Sequence, residues 1–366
     1  MTIISYFKKF DWPLVLTAII LTGIGLLSLY SSSLGIVGSF LNFNKQLIFL
    51  GVGLTLMIIL SFVDYRGLKD NSYLILVFYA LGIIALIGLL VFNNPIRGVR
   101  SWYKIGQAAI APVEFLKIVI IALLAKYFSA RHVEMYKFRH IILSGLYIAL
   151  PVFLVFLQPD VGSVLVLIFL WIGILAVSGI HLRHFLILSL CGLILFVFAW
   201  GFLLRDYQKE RVISFVLPDY EPLQAGWNQR QTKIAIGNGG IIGRGVGNGS
   251  QTQQGFLPEP QTDFIFSAIA EEFGFLAIIG IILLFLVFFW RVTSIALRAD
   301  NNFSRLFALG VGFVVIAQFF INIGSNIGYL PVIGVPLPFI SYGGSFLIAM
   351  FIAIGILQNI KIDSTT

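Results

Sequence analysis

Long apolar runs recur along the chain, separated by short polar breaks. Ten of them are long enough, at about 20 residues, to cross the hydrocarbon core of a bilayer as helices. They cover residues 13–33, 46–63, 73–92, 113–128, 140–157, 161–179, 184–204, 264–290, 305–325 and 340–360. The pattern predicts an all-α polytopic membrane protein, a single unit over 1–366, with one large loop at 205–263 between the seventh and eighth spans. Lys8 and Lys9 precede the first run as they would a signal peptide. That run outlasts the roughly 7–15 apolar residues of such a peptide, so it is read as retained.

Composition agrees with a lipid solvent. The chain is 59% hydrophobic and 11% charged, with mean hydropathy +0.98, whereas soluble chains are roughly 45–50% apolar and about 25% charged. The formal charge of +8 does not point to nucleic acid, because the basic residues are scattered between apolar runs and fit an anionic membrane surface. The sole cysteine, Cys191, excludes an intramolecular disulfide and is expected to be a buried thiol acting as a small hydrophobe.

Charge also orients the spans. With the N-terminus inside, the cytoplasmic segments hold Lys8, Lys9, Arg66, Lys69, Lys126, Arg131, Lys137, Arg139, Arg183, Arg291, Arg298, Arg305 and Lys361. The short outside loops hold only Lys45, Arg97, Arg100 and Lys104. The positive-inside rule therefore predicts both termini in the cytoplasm and the 205–263 loop outside. Two further segments look irregular. GNGGIIGRGVGNGS at 237–250 is too rich in glycine for a stable helix and is expected to form turns. Its GxG pieces lack the strand and GK[ST] of a nucleotide site. YLPVIGVPLPFISYGGS at 329–345 reads as a re-entrant or capping loop, with a plain turn as the bland alternative.

The chemistry must come from charged groups other than histidine. His132, His140, His181 and His184 all fall in segments assigned to the cytoplasm, which leaves no histidine base, zinc set or Ser-His-Asp triad outside. The remaining candidate carboxylates are Glu114, Asp160, Asp206, Glu210, Asp219, Glu221, Glu259, Asp263, Glu271 and Glu272. Asp263 stands where the long loop meets the eighth span, at headgroup height. Either it works there or, with Thr262, it caps a helix. Glu114 and Lys117 share one face of the fourth span at i, i+3, as a functional pair or a structural one. Asp160 opens the sixth span and suits a helix start or a partner for Lys117. Arg97, Arg100 and Lys104 with Trp102 and Tyr103 form a basic and aromatic loop suited to gripping phosphate or to anchoring at the interface.

These residues sit in motifs that resemble the shape, elongation, division and sporulation (SEDS) family, and its RodA-like members in particular. The likeness runs from the first span to the last, through RGVRSWYKIG at 97–106, EFLK at 114–117, QPDVG at 158–162, GWNQRQTKIAIGNGGIIGRG at 226–245, LPEPQTDFIF at 257–266 and GVPLPFISYGGS at 334–345. Two departures stand out: Ala111-Pro112-Val113-Glu114 replaces the frequent QPSE, and Gln261 replaces a frequent histidine.

The resemblance implies a ten-helix peptidoglycan glycosyltransferase of the bacterial cytoplasmic membrane. It would polymerise lipid II during cell elongation beside a class B penicillin-binding protein that supplies the transpeptidase. Asp263 matches the family's essential aspartate, and Arg97, Trp102, Glu114, Lys117 and Asp160 match its other signature positions. Arg100, Lys104, Arg211, Gln231 and Lys233 complete the set expected to touch substrate. The implied reaction joins an acceptor sugar hydroxyl to C1 of a glycan carried on undecaprenyl pyrophosphate. It needs a carboxylate base, expected to be Asp263, and inverts C1. The pyrophosphate calls for neutralisation by Arg or Lys and a divalent cation such as Mg²⁺, with no nucleotide. A flippase using the intramembrane charges, a noncatalytic scaffold and a division role in place of elongation are the rival readings.

Overall fold

The computed structural model describes residues 3–35, 39–92, 101–106, 108–130, 138–217 and 225–364. In chain order the elements are α1 (Ile3–Lys8), α2 (Trp12–Ser32), α3 (Leu41–Phe62), α4 (Arg66–Asp70), α5 (Ser72–Phe92) and the antiparallel hairpin β1 (Tyr103–Ile105) and β2 (Ala108–Ile110). Then follow α6 (Pro112–Ser129), α7 (Phe138–Leu157), α8 (Val161–Val177), α9 (Leu182–Phe202), α10 (Asp206–Val216), α11 (Ala225–Gly239) and α12 (Ser250–Gln253). α13 (Ile265–Arg298), α14 (Asn302–Ile327) and α15 (Gly344–Asp363) close the chain.

Each of the ten apolar runs is a helix. Among the described residues eight are long and apolar enough to cross a bilayer, and α8 is a shorter apolar helix. α6 completes the ten, its apolar length interrupted by Glu114, Lys117 and Lys126. The protein is a multi-pass membrane protein. α6, α14 and α15 form its centre, where Phe128, Phe307, Phe351 and Leu357 are fully enclosed. α15 lies flat along α3 because glycine stands at the crossing: a Cβ on Gly355 would come within 2.6 Å of the Met57 carbonyl oxygen. α9 is the opposite case, with only His184 buried. Cys191 lies on it and is exposed, not buried as expected, since this apolar helix turns its side chains to lipid.

Two expectations change in detail. The 205–263 segment holds three helices, α10 to α12, and α11 carries the glycine-rich run as far as Gly239 before the turns begin. Those turns sit against a break in α13 at Gly274, whose φ is 75°. There the loop takes over the backbone groups that the broken helix leaves free. Arg244 and Gly245 N–H donate to the carbonyls of Glu271 (3.0 Å) and Glu272 (2.9 Å), while Phe275 and Leu276 N–H donate to Gly240 (2.9 Å) and Ile241 (3.1 Å). Glycine is required at the crossing, since a Cβ on Gly243 (φ 81°) would lie 2.2 Å from the Glu272 carbonyl oxygen. Such mutual satisfaction lets irregular backbone persist inside a bundle. From Phe275 to Arg298 the helix is about 36 Å long, enough to span a bilayer, and it leaves the segment before Gly274 as a separate stub.

Candidate active site

The stub of α13 starts at Ile265, with Phe264 as its N-cap and no side-chain cap bond. Asp263 therefore sits one residue outside the helix, in a turn, and is half-buried. This turn is held from other elements at three consecutive carbonyls. Tyr342 N–H donates to Gln261 O at 2.8 Å, and Ser341 Oγ donates to Thr262 O at 2.7 Å. Asp263 O accepts from Asn322 Nδ2 at 3.0 Å and from Asn326 Nδ2 at 2.9 Å. Asn322 Nδ2 also donates to Val335 O at 2.9 Å, which ties the proline-rich loop to the same point. That loop stays non-helical until α15 begins at Gly344. Gln261, which stands where the resemblance suggests histidine, accepts from Asn42 Nδ2 at 2.6 Å through its Oε1.

The backbone is fixed from neighbouring elements, and the residue borders a cavity. Asp263 lines a cavity of about 140 Å³ together with Glu259, Arg211 and Ser214 of α10, Asn228 of α11, and Val332. Arg211 Nη1 also donates to Val332 O at 3.3 Å. A Cβ on Gly334 would meet Asp263 Oδ2 at 3.6 Å, so the proline-rich loop forms one wall. A recess of about 300 Å³ lined by Arg230 and Lys233 of α11 adjoins through Gln229, which lines both. The exposed Lys233 lays its stem over Gly328, while Gln231 turns inward and is buried. Burial pushes the Tyr342 phenol above its ordinary value, so it stays neutral. Larger hollows of about 630 and 500 Å³ lie at the other end of the bundle, around Asp64 to Tyr73, and contain none of the expected site residues.

The other candidates separate by what they touch. Glu114 and Lys117 are a buried pair on α6, with Lys117 Nζ 2.9 Å from both carboxylate oxygens. Asp160 is the N-cap of α8: Ser163 N–H donates to Oδ1 at 3.0 Å, and Ser163 Oγ (2.8 Å) and Ser101 Oγ (3.4 Å) reach Oδ2. No bond joins it to Lys117. Trp102 and Lys104 are exposed at the β-hairpin. Arg97 and Arg100 lie outside the described residues, as do Asp219 and Glu221.

Glu271 and Glu272, also candidates, are wholly enclosed. Glu271 accepts from Gln251 N–H (2.8 Å), Thr252 N–H (2.9 Å) and Thr252 Oγ1 (2.8 Å), which fixes the start of α12. Glu272 Oε1 accepts from Ser31 Oγ and Gln253 Nε2, both at 2.7 Å. The residues that sequence reading missed are Asn322 and Asn326. Their signal was present: two amides four residues apart on one face of an apolar helix.

Among the described residues no three His, Cys, Asp or Glu side chains converge on one point. Glu259 and Asp263 line the same cavity, and Mg²⁺ is commonly held by one or two carboxylates together with substrate phosphates.

The profile of the FtsW, RodA and SpoVE family of cell cycle proteins matches residues 11–366. Stage V sporulation protein E of Bacillus subtilis is 37% identical, over 96% of this chain and 96% of its own length. Peptidoglycan glycosyltransferase MrdB of Escherichia coli K12 is 34% identical, over 85% of this chain and 83% of its own. Among solved structures, a chain from a study of polymerization and crosslinking by a peptidoglycan synthase complex superposes with a TM-score of 0.81 at 29% identity, covering 97% of this chain and 98% of that one. RodA of Thermus thermophilus superposes at 0.71 and 27% identity, covering 98% of each chain.

Proposed function

The chain belongs to the FtsW, RodA and SpoVE family, and from that premise we propose that it is a membrane-embedded peptidoglycan glycosyltransferase that polymerises lipid II, with Asp263 as general base. The observation that carries the reading is the state of Asp263: its backbone is bolted from α14 and its carboxylate lines a cavity with Arg211. A sugar hydroxyl is a weak nucleophile, and a carboxylate within hydrogen-bond reach contributes about 10²–10⁴ in rate by taking its proton. Attack on C1 expels undecaprenyl pyrophosphate. Because one base acts on one displacement, the α donor gives a β product.

Arg211, Arg230 and Lys233 supply the positive charge that a departing pyrophosphate needs. Trp102 and Lys104 of the hairpin segment, and the basic residues Arg97 and Arg100, are the further groups proposed to grip pyrophosphate. Gln231, expected to touch substrate, is buried on α11. A divalent cation such as Mg²⁺ is expected to arrive with the pyrophosphate, and titration with a chelator tests it. The termini and the Arg291 end are assigned to the cytoplasm and the Asp263 end to the outer face, following the basic bias. A class B penicillin-binding protein is the expected partner, and elongation the expected role, on the strength of the RSWYKIG loop.

The deciding experiment is polymerisation of labelled lipid II by purified protein. A flippase or a scaffold yields no polymer. Wild type should yield polymer and Asp263→Asn should not, while its expression and detergent stability persist. An Asn variant that polymerises at near wild-type rate removes Asp263 as the base.

A further inference from the structure

In a regular α-helix the N–H of Ser267 would donate to the carbonyl of Asp263, four residues back. Here that pair is parted by a side chain. Ser267 N–H and Oγ donate to Asn326 Oδ1, at 3.3 and 2.7 Å, and Asn326 Nδ2 donates to Asp263 O at 2.9 Å. The carboxamide takes the place of the missing backbone bond, offering an acceptor to one side and a donor to the other. The first bond of α13 is then Ala268 N–H to Phe264 O at 3.1 Å, one residue later.

We propose that Asn326 is a positioning residue: by standing between Asp263 O and Ser267 N–H, it keeps Asp263 out of helix α13 and its carboxylate turned to the substrate cavity. The inference rests on the reading of Asp263 as the base. Asn326 and Ser267 are both completely buried, so removal of the carboxamide strands a buried backbone donor, which is costly. The direct repair is for α13 to wind back one residue and close the Ser267 to Asp263 bond. Asp263 then becomes the N-cap, and its carboxylate accepts from the N–H of Ile265 or Phe266. The added N–H bonds favour the charged carboxylate and make it a weaker base than it is in the present arrangement. Asn322 cannot substitute, since it reaches Asp263 O but makes no bond to Ser267. Among the described residues, the charged groups lining the Asp263 cavity are Arg211 of α10 and Glu259 of the same turn, and the proline-rich loop presents Pro331 and Val332 to it.

The test compares Asn326→Ala, Ser267→Pro, the double variant and Asp263→Asn in one lipid II polymerisation assay across pH. Proline has no N–H and its ring clashes with the carbonyl four residues back, so Ser267→Pro blocks the rewinding, and proline is tolerated in a first turn. Asn326→Ala should lower kcat about 10²-fold, as a displaced reacting group does, with KM for lipid II within about twofold. The acid limb of its kcat profile should move to lower pH. The double variant should bring that limb back to its wild-type position and recover at least tenfold in kcat. A merely structural asparagine predicts instead lower thermal stability with the acid limb unmoved and no rescue by proline, and that result overturns the proposal.

If Asn326→Ala does not fold, Ser267→Pro alone decides. Its kcat should stay within about threefold of wild type, and a loss as deep as that of Asp263→Asn refutes the proposal. Should Asp263→Asn remain active, both the base and its positioning fall. Should it be dead while Asn326→Ala is normal in kcat and pH profile, the positioning falls alone.

Discussion

Asp263 and Asp11 stand at opposite ends of α13, each just before the start of a helix, and their surroundings could hardly differ more. Asp11 is completely enclosed. Its Oδ1 accepts from Arg291 Nε at 2.9 Å and from Leu14 N–H at 3.2 Å, and its Oδ2 lies 3.5 Å from Lys361 Nζ and against Arg291 Nη2. Its own N–H donates to Gln358 Oε1 at 2.7 Å. Every polar valence is engaged in joining α2, α13 and α15. Asp263 is placed differently: neighbouring elements hold its carbonyl, and its side chain borders a cavity shared with Arg211 and Asn228. A carboxylate saturated by the protein is cement. One whose backbone is fixed and whose side chain borders a cavity is equipped to act on something else.

The comparison is broken most forcefully by removing one negative charge at each end. For Asp263→Asn the expected loss of polymerisation is about 10²–10⁴-fold with unchanged thermal stability. For Asp11→Asn the expected loss is of stability, about 3–5 kcal/mol, because Arg291 and Lys361 are left facing a neutral amide in a buried site. Turnover per folded molecule should hold. Thermal unfolding followed beside the lipid II assay separates the two, and an Asp11 variant that is stable but inactive would erase the distinction between them.

Glu114 and Lys117 sharpen the contrast from a third place. Their charges neutralise each other within one turn of α6, so either Glu114→Gln or Lys117→Met leaves a lone partner in low dielectric and should cost several-fold in folded yield or rate. The double variant should be clearly better than the sum of the singles. Strict additivity, read from the same yield and rate measurements, would dissolve the pair.

Much of this was legible before any coordinates. Ten apolar runs became ten helices because a bilayer leaves a long uncharged segment no other satisfied conformation. Asp263 stood out because a charged residue abutting a span has few idle roles. What the sequence did not disclose was relational. Whether Asp263 caps α13 or stands outside it turns on Asn326, 63 residues away. Glu271 and Glu272 remained on the list of candidate carboxylates, and only the fold shows the glycine-rich loop closed over them. Cys191 was expected inside because apolar neighbours mean burial in water. In lipid the same neighbours line an outward face.

Asp160 gives the smallest expected effect and a demanding check, because its motif and its geometry pull apart. By resemblance it belongs with the substrate-binding residues, whereas its oxygens here serve Ser163 and, more weakly, Ser101 of the hairpin segment. If capping is its work, Asp160→Asn should be almost silent in stability and in polymerisation, since asparagine caps nearly as well as aspartate. Asp160→Ala should cost about 1 kcal/mol and leave KM for lipid II where it was. The Ser101 contact adds a graded term: at 3.4 Å it is a long bond, and Ser101→Ala should lower stability by less than Asp160→Ala does. The outcome that sinks the capping account is an Asp160→Asn protein that unfolds at the wild-type temperature yet shows a raised KM, because only a charge read by the substrate could produce it.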